Sequence, residues 1–165
     1  MTVEYLVKAL NLQAHPEGGF YKEMYRSDEL IPISGLPQRF HAARVFATAI
    51  YFLIDANNFS ALHKIKSDET WHFYAGDALE VIEIDAKGHL HITHVGASLQ
   101  AGEVFQYTVK AGRWFASRVK QGGVFSLVGC TVAPGFDFED FQMANREALI
   151  ASYPQHKILI THLTR

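Results

Sequence analysis

The strongest constraint on the fold is an alternation of apolar and polar residues that begins near Phe20 and continues for over a hundred residues. An alternation with a period of two is typical of strands that bury one face. The connections are short, such as KSD, DAKG and KQGG, which suits antiparallel hairpins better than parallel sheets. This pattern favours an all-β sandwich or closed barrel. The predicted strands, about nine in number, are residues 20–26, 44–54, 59–65, 69–75, 78–84, 89–95, 104–110, 113–119 and 124–133.

Short helices are predicted near both ends of the sequence. Residues 3–10 place apolar side chains at helical spacing, and Thr2 is a suitable N-cap. Asn145 can cap a second helix, REALIASY, that Pro154 would end. The segment HKILITHLTR is compatible with a strand or a helix. No linker, low-complexity tract or repeat divides the sequence, so we expect one domain over residues 1–165.

Composition and charge exclude several functional classes. The net charge of -2 and the pI near 6.5 lack the basic footprint of a nucleic-acid-binding protein, so no nucleic-acid partner is expected. No segment approaches the roughly 18 apolar residues of a membrane span, and the first residues do not resemble a signal peptide. We therefore expect a cytoplasmic protein without a membrane partner. Cys130 is the only cysteine, which excludes an internal disulfide and favours a buried thiol.

The stretch SALHKIKSDETWHFYAG contains the main candidate for chemistry. If KSD forms a hairpin turn, Ile65 lies opposite Glu69 and His63 lies opposite Trp71, and these four side chains share one face. A histidine and a carboxylate among large apolar groups would be partly desolvated, which shifts pKa values and favours proton transfer or metal binding. The alternative is a core histidine that is satisfied by one hydrogen bond.

The same stretch resembles the first cupin motif, since His63, Glu69 and Gly76 lie at the motif positions. Ile65 occupies the place of the second motif histidine, and Phe115 occupies the place of the histidine in the second cupin motif. Three segments, HPEGGFYKEMYR, SDETWHFYAGD and APGFDFEDF, are together similar to the small single-domain cupin branch known as a domain of unknown function. This resemblance implies a double-stranded β-helix, or jelly-roll barrel, with an internal ligand pocket. It also implies a homodimer, but no particular reaction.

Metal cupins of the usual kind bind iron, manganese or zinc through three histidines and one glutamate. Only His63 and Glu69 of those four ligands are present, so we expect a pocket without a metal or another cofactor. The alternative is a metal enzyme in which His63 and Glu69 act with non-standard ligands. In HLHITH, His89 and His91 share one face of a strand and His94 lies on the other, so a three-histidine metal site would need backbone distortion, and a solvated strand face is expected.

Cupin epimerases of deoxyhexose synthesis need no metal, and they use a histidine base that is supported by a carboxylate. By similarity of architecture, we expect a small polar metabolite in the barrel and isomerisation or epimerisation with His63 as the base. Glu69 is the nearest carboxylate partner in the predicted register, and Asp137 and Asp140 are alternatives. A ligand-binding protein without catalysis remains the other hypothesis.

Four further residues are candidates for ligand binding. Trp71 and Trp114 could stack on a sugar ring or a base, although core packing is the alternative for each. Glu17, in the glycine-containing HPEGG turn, could face the pocket entrance or be solvated. Arg26 could bind a phosphate or carboxylate, or form a surface salt bridge.

Overall fold

The computed structural model describes all 165 residues, which form a mostly antiparallel β structure with three short helices. The helices are α1 (Val3–Leu10), α2 (Arg146–Ser152) and α3 (Lys157–His162). The strands are β1 (Gln13–Ala14), β2 (Phe20–Arg26), β3 (Leu30–Ile31), β4 (Arg44–Val45), β5 (Thr48–Asp55), β6 (Phe59–Lys64), β7 (Asp68–Gly76), β8 (Leu79–Ile84), β9 (Leu90–Val95), β10 (Gln106–Val109), β11 (Trp114–Val119), β12 (Phe125–Ala133) and β13 (Gln142–Met143). The nine predicted strands are present, with segment 44–54 divided into β4 and β5.

The strands form two main sheets that pack face to face. One sheet has the order β1-β2-β5-β12-β7-β10, and the other has the order β13-β6-β11-β8-β9. The separate pair β3-β4 lies outside both sheets. Every strand pair is antiparallel, and the order places non-consecutive strands side by side, as in a jelly roll. The predicted fold class, an all-β double-stranded β-helix with short terminal helices, is confirmed.

The predicted hairpin between β6 and β7 is wrong. Strand β6 pairs with β11 and β13, whereas β7 pairs with β10 and β12, so the chain crosses from one sheet to the other at residues 65–67. His63 is therefore aligned with Phe115, and Glu69 is aligned with Val109 and Val132. The alternation nevertheless directs His63 and Glu69 to the space between the sheets, because each strand keeps its own inner face.

The core between the sheets consists of inward side chains from both of them. Phe52 and Trp71 of the six-stranded sheet meet Val81 and Phe115 of the five-stranded sheet, and all four are at most 1% exposed. The rings of Phe52 and Trp71 are edge-on, with centroids 5.8 Å apart. This apolar layer fills the middle of the barrel and leaves space at one end.

The helices cover the outer faces of the sheets. In α1 the Thr2 Oγ1 accepts a hydrogen bond from the Tyr5 N–H (3.2 Å), and buried Leu6 packs beside Leu53 of the six-stranded sheet. In α2 the Asn145 Oδ1 caps the Ala148 N–H (2.9 Å). Both helices and their caps agree with the prediction. The ambiguous last segment is helical as α3, since its apolar face packs with that of α2 on the five-stranded sheet.

None of the helices combines the length and the apolar character that crossing a membrane requires. The longest, α1, has 8 residues. The cytoplasmic location stays a prediction.

Candidate functional site

A cavity of about 290 Å³ opens between the two sheets at one end of the barrel. Its walls come from strands of both sheets and from residues 136–141. The interior end is polar and the rim is partly aromatic, which is the usual composition of a small-molecule site. The lining residues are Gln13, His15, Glu17, Tyr21, Glu23, Arg26, Thr48, Ile50, His63, Ile65, Glu69, Cys130, Val132, Phe136, Phe138 and Phe141.

A tight turn between β1 and β2 places Glu17 inside this cavity. The His15 N–H donates to the Gly19 carbonyl and the Gly18 N–H donates to the His15 carbonyl, both at 3.0 Å. Gly18 has a φ of 115°, and a Cβ there would lie 2.2 Å from the Phe59 carbonyl oxygen. Only glycine allows the turn to approach β6 this closely. The buried Glu17 side chain therefore reaches the cavity from a loop.

His63 is held by its backbone neighbour on one side and by Glu17 on the other. Its Nδ1 lies 2.7 Å from the Ala61 carbonyl oxygen. A carbonyl can only accept, so we assign the proton of the neutral ring to Nδ1. Its Nε2 lies 3.1 Å from Glu17 Oε2. The Ala61 N–H also donates to the Glu17 carbonyl oxygen at 2.9 Å, so the backbone of one residue holds both partners.

His15 flanks the other side of the Glu17 carboxyl. Its Nδ1 accepts a hydrogen bond from the Glu17 N–H at 3.3 Å and lies 3.6 Å from Glu17 Oε1. Its ring packs edge-on against Tyr21, with the centroids 4.5 Å apart. The Glu17 carboxyl thus lies between the unprotonated nitrogens of two imidazoles.

Burial sets the protonation of these groups. It raises the pKa of Glu17 to about 8 and that of Glu69 to about 7. It lowers the pKa of His15 to about 4, and it also lowers the pKa of His63 in spite of the nearby Glu69 carboxylate. At neutral pH Glu17 is therefore a protonated acid beside two neutral imidazoles. Its proton can be donated to Nε2 of His63, because that nitrogen has a free lone pair.

Glu69 also faces the cavity, but it is not the hydrogen-bonded partner of His63. The side-chain partner of His63 is Glu17, and Glu69 lies beside the thiol of Cys130. The predicted partnership of His63 with Glu69 rested on the hairpin register, which the crossing between sheets abolishes. Cys130 is 2% exposed, as predicted, and burial raises the pKa of its thiol.

The family model described as Cupin superfamily (DUF985) matches residues 4–144. The chain belongs to this cupin family. Among solved structures, protein SO0799 from Shewanella oneidensis is 39% identical, with a TM-score of 0.90 over 100% of this chain and 98% of its own. A hypothetical protein from Leishmania major is 37% identical, with a TM-score of 0.90 over 99% of both chains. The family-model match confirms the predicted family.

A mutant of Bacillus subtilis oxalate decarboxylase is 16% identical, with a TM-score of 0.55 over 92% of this chain and 37% of its own. At that identity the likeness shows the cupin fold alone.

The metal site of the usual metal cupins does not fit this cupin. Ile65 and Phe115 occupy two of the four ligand positions, and the Phe115 ring packs against His63 with centroids 4.1 Å apart. Both ring nitrogens of His63 already have protein partners. No three His, Cys, Asp or Glu side chains are arranged to bind a metal ion. The groups available for chemistry at this site are therefore its carboxyl groups and imidazoles.

Arg26 lines the mouth of the cavity and also forms the predicted surface salt bridge. Its Nη2 lies 2.7 Å from Glu23 Oε2, and its Nη1 donates to the Phe136 carbonyl oxygen at 3.3 Å. Both side chains of the ion pair are half exposed. The guanidinium borders the cavity mouth, and Glu23 largely neutralises it.

The two tryptophans lie outside the cavity, so their predicted stacking on a ligand does not fit the structure. Trp71 is 1% exposed and fills the core between Phe52 and Phe115. Trp114 points to the opposite side of β11 from Phe115, where it packs with the helical cluster and with the Lys64 ammonium, 4.6 Å from its ring centroid. Core packing is the role of Trp71, and outer-face packing is the role of Trp114.

The two aspartates of PGFDFEDF also lie outside the cavity lining and do not contact His63. Asp137 caps a short 3₁₀ turn, with its Oδ1 accepting from the Glu139 N–H at 2.9 Å. Asp140 is buried and accepts two 2.7 Å hydrogen bonds from Arg44, and Lys66 lies 3.3 Å from it. Their role is to fix the segment whose phenylalanines form one wall of the cavity.

Several lining residues are not among the predicted site residues, namely His15, Tyr21, Cys130 and the three phenylalanines at 136, 138 and 141. All of them except Cys130 belong to the two cupin-like segments HPEGGFYKEMYR and APGFDFEDF, so the motif resemblance contained a signal for them. On HLHITH, by contrast, His89 and His91 are exposed and contact Asp85, which agrees with the predicted solvated face.

Proposed function

We propose that this cupin binds a small polar metabolite in the barrel cavity and catalyses a metal-independent isomerisation or epimerisation, with His63 as the base. The observation that carries this proposal is the buried contact between His63 Nε2 and Glu17 Oε2 at 3.1 Å. It places a proton acceptor and a proton donor side by side in a cavity of ligand size.

The two groups have complementary roles at a carbon next to a carbonyl group. A substrate that enters between them offers its C–H to Nε2 of His63 and its carbonyl oxygen to the protonated Glu17. The C–H proton moves to His63, the Glu17 proton moves to the oxygen, and an enol forms. When the substrate is an α-hydroxy carbonyl compound, this enol is an enediol. His63 then returns its proton to the former carbonyl carbon while the Glu17 carboxylate takes the proton of the neighbouring hydroxyl group, which gives the isomer and restores both side chains.

Glu69 can supply the second proton carrier that an epimerisation requires. It is buried at the same end of the cavity, and burial raises its pKa to about 7, so both of its protonation states are populated near neutral pH. Return of a proton to the opposite face of the same carbon would give the epimer. Arg26 at the mouth and the phenylalanine wall would orient the remainder of the ligand.

Hydrogen exchange tests the proposed chemistry whichever isomer is the product. A panel of aldoses, ketoses and amino sugars is incubated with the protein in D₂O, and NMR follows loss of the C–H signal next to the carbonyl. The wild type should accelerate exchange for at least one compound, and His63→Asn should reduce the rate by about 10²-fold or more.

His94→Asn is the matched control, because His94 lies on the outer strand β9 beside Glu80. It should exchange at the wild-type rate. A wild type that binds a panel compound without accelerating exchange would contradict catalysis and support a ligand-binding protein instead.

We also propose that the cupin is a homodimer that pairs through the outer face of the six-stranded sheet. Helices α2 and α3 cover the other sheet, and α1 covers the part of this face around Leu53. Tyr25 and Tyr74 on the same face are 54% and 51% exposed. Tyr51 packs edge-on against Tyr74, which makes a rigid aromatic surface suited to an interface. Analytical ultracentrifugation should show a dimer, and Tyr74→Asp should shift it toward monomer. A monomeric wild type would refute this.

A further inference from the structure

The interior end of the cavity is rich in hydrogen-bond acceptors and contains no lysine or arginine. The carboxyl groups of Glu17 and Glu69 lie there, together with the unprotonated nitrogens of His15 and His63. Glu17 pairs only with the two imidazoles, and no arginine or lysine pairs with Glu69. Glu69 is only 8% exposed, and its polar neighbour is the weak donor Cys130.

Two buried carboxyl groups without a cation are costly unless something neutralises them. Each of the other buried carboxylates forms an ion pair with a lysine or an arginine. Glu83 pairs with Arg113, Asp140 with Arg44 and Glu103 with Lys120. The cavity pair is the exception. Its missing partner must therefore be protons in the free protein or a cation supplied by the ligand.

The mouth of the cavity does not favour an anionic ligand either. Arg26 is the only lysine or arginine in the lining. Its Nε and Nη2 donate to the Glu23 carboxylate, and its Nη1 donates to the Phe136 carbonyl oxygen. A phosphate or carboxylate would have to displace Glu23 in order to gain these donors.

We propose that the cavity selects a metabolite that carries a primary amine, whose ammonium group lies between Glu17 and Glu69. An ammonium has three donors and no acceptor, which complements a site made of carboxyl oxygens and imidazole nitrogens. The ring of Phe141, in the wall next to His63, adds an aromatic face for the cation. This inference rests on the proposed function in that it names the substrate class of the same pocket.

Protonation of the pocket supports this choice of ligand. Burial raises the pKa of Glu17 to about 8 and that of Glu69 to about 7, so Glu69 is the more acidic of the two. An ammonium would replace the proton of Glu69 and donate to the carbonyl oxygen of the Glu17 carboxylic acid, which keeps the proton that it supplies to the substrate. The groups that face the two carboxyls are His15, His63 and Cys130, and none of them is cationic at neutral pH. Amine binding should therefore release protons and strengthen as pH rises from about 6 to about 8.

Matched ligands test the preference directly. D-glucosamine, D-glucose and D-glucose 6-phosphate form one series, and ethanolamine, ethylene glycol and glycolate form another. Isothermal titration calorimetry at about pH 7, where the amines are mostly protonated and Glu69 is partly ionised, should show the amine of at least one series binding about tenfold or more tightly than its neutral and anionic analogues. Proton release should appear as a dependence of the heat on the ionisation enthalpy of the buffer.

The variants Glu17→Gln and Glu69→Gln should each lose the preference for the amine, whereas Glu147→Gln on the exposed surface of α2 should retain it. Equal or tighter binding of the neutral or anionic analogues would overturn the proposal, as would a panel in which no amine binds. Titrations with MgCl₂, MnCl₂ and ZnCl₂ form a separate arm. Stoichiometric binding of a divalent ion that the same two variants abolish would also overturn it.

The two proposals fail in different ways. The wild type is therefore measured separately for hydrogen exchange and for the amine preference. If the wild type prefers amines but exchanges no hydrogen, only the proposed catalysis fails. If exchange occurs on neutral sugars and amines have no advantage, only the ammonium site fails.

Discussion

Replacing Glu17 with glutamine should remove a specific part of the pH dependence of stability. The pKa of Glu17 rises from 4.5 to about 8 on folding, because burial disfavours the carboxylate. Below pH 4.5 both the folded and the unfolded chain hold this proton. Between that value and about 8 only the folded chain holds it, so the free energy of unfolding falls as pH rises. Each pH unit removes about 1.4 kcal/mol, and by about pH 8 the loss reaches about 4 kcal/mol.

Glutamine has nearly the same shape and cannot ionise, so Glu17→Gln should lack this loss. Urea unfolding at intervals from about pH 5 to about pH 8 measures the free energy of each variant. The two proteins should be similarly stable at the acid end, and the variant should be the more stable by about 4 kcal/mol at the alkaline end. Glu147→Gln, on the exposed surface, should follow the wild-type curve. Parallel curves for Glu17→Gln and the wild type would refute the buried, protonated state of Glu17.

Three further substitutions have defined outcomes. Asp140→Asn leaves the Arg44 guanidinium buried without a full counter-charge, so the free energy of unfolding should fall by about 3 kcal/mol in urea titrations; a change near zero would contradict that pairing. Gly18→Ala combines a φ of 115° with a Cβ only 2.2 Å from the Phe59 carbonyl oxygen, and calorimetry should show a lower Tm together with weakened ligand binding. Trp71→Phe should cost less than about 2 kcal/mol, because the buried Nε1 that it removes has no hydrogen-bond partner; a cost near that of Trp71→Ala, about 3–5 kcal/mol, would show that the indole N–H is important.

The strands were predictable because alternation is a local property, whereas their pairing was not. Each strand from β5 to β12 carries its own inner and outer face, and the sequence pattern alone indicates which side chains point inward. The turn after Ile65 contains residues that suit a hairpin. Whether it closes a hairpin or carries the chain to the other sheet depends on β6 pairing with β11 and on β7 pairing with β12. Those partners lie far away in the sequence, so no local pattern could predict the crossing.

In the candidate site too, the local sequence pattern indicated the residues but not the contacts between them. His63 and Glu69 were found because the inner face and the motif both indicate them, and Glu17 was found in the HPEGG turn. The contact of Glu17 with His63 depends on docking of that turn against Phe59 and Ala61, which is a tertiary event. Trp114 could have been excluded, since it adjoins the inward-facing Phe115 and must point to the opposite face of β11.

The two hydrogen bonds of the Ala61 backbone have a wider consequence. One orients the imidazole of His63 and the other anchors the turn that carries Glu17. Both bonds are made by backbone atoms of Ala61 and by no rim side chain. Changes at rim residues should therefore alter the shape of the cavity mouth while the distance between Glu17 and His63 stays the same.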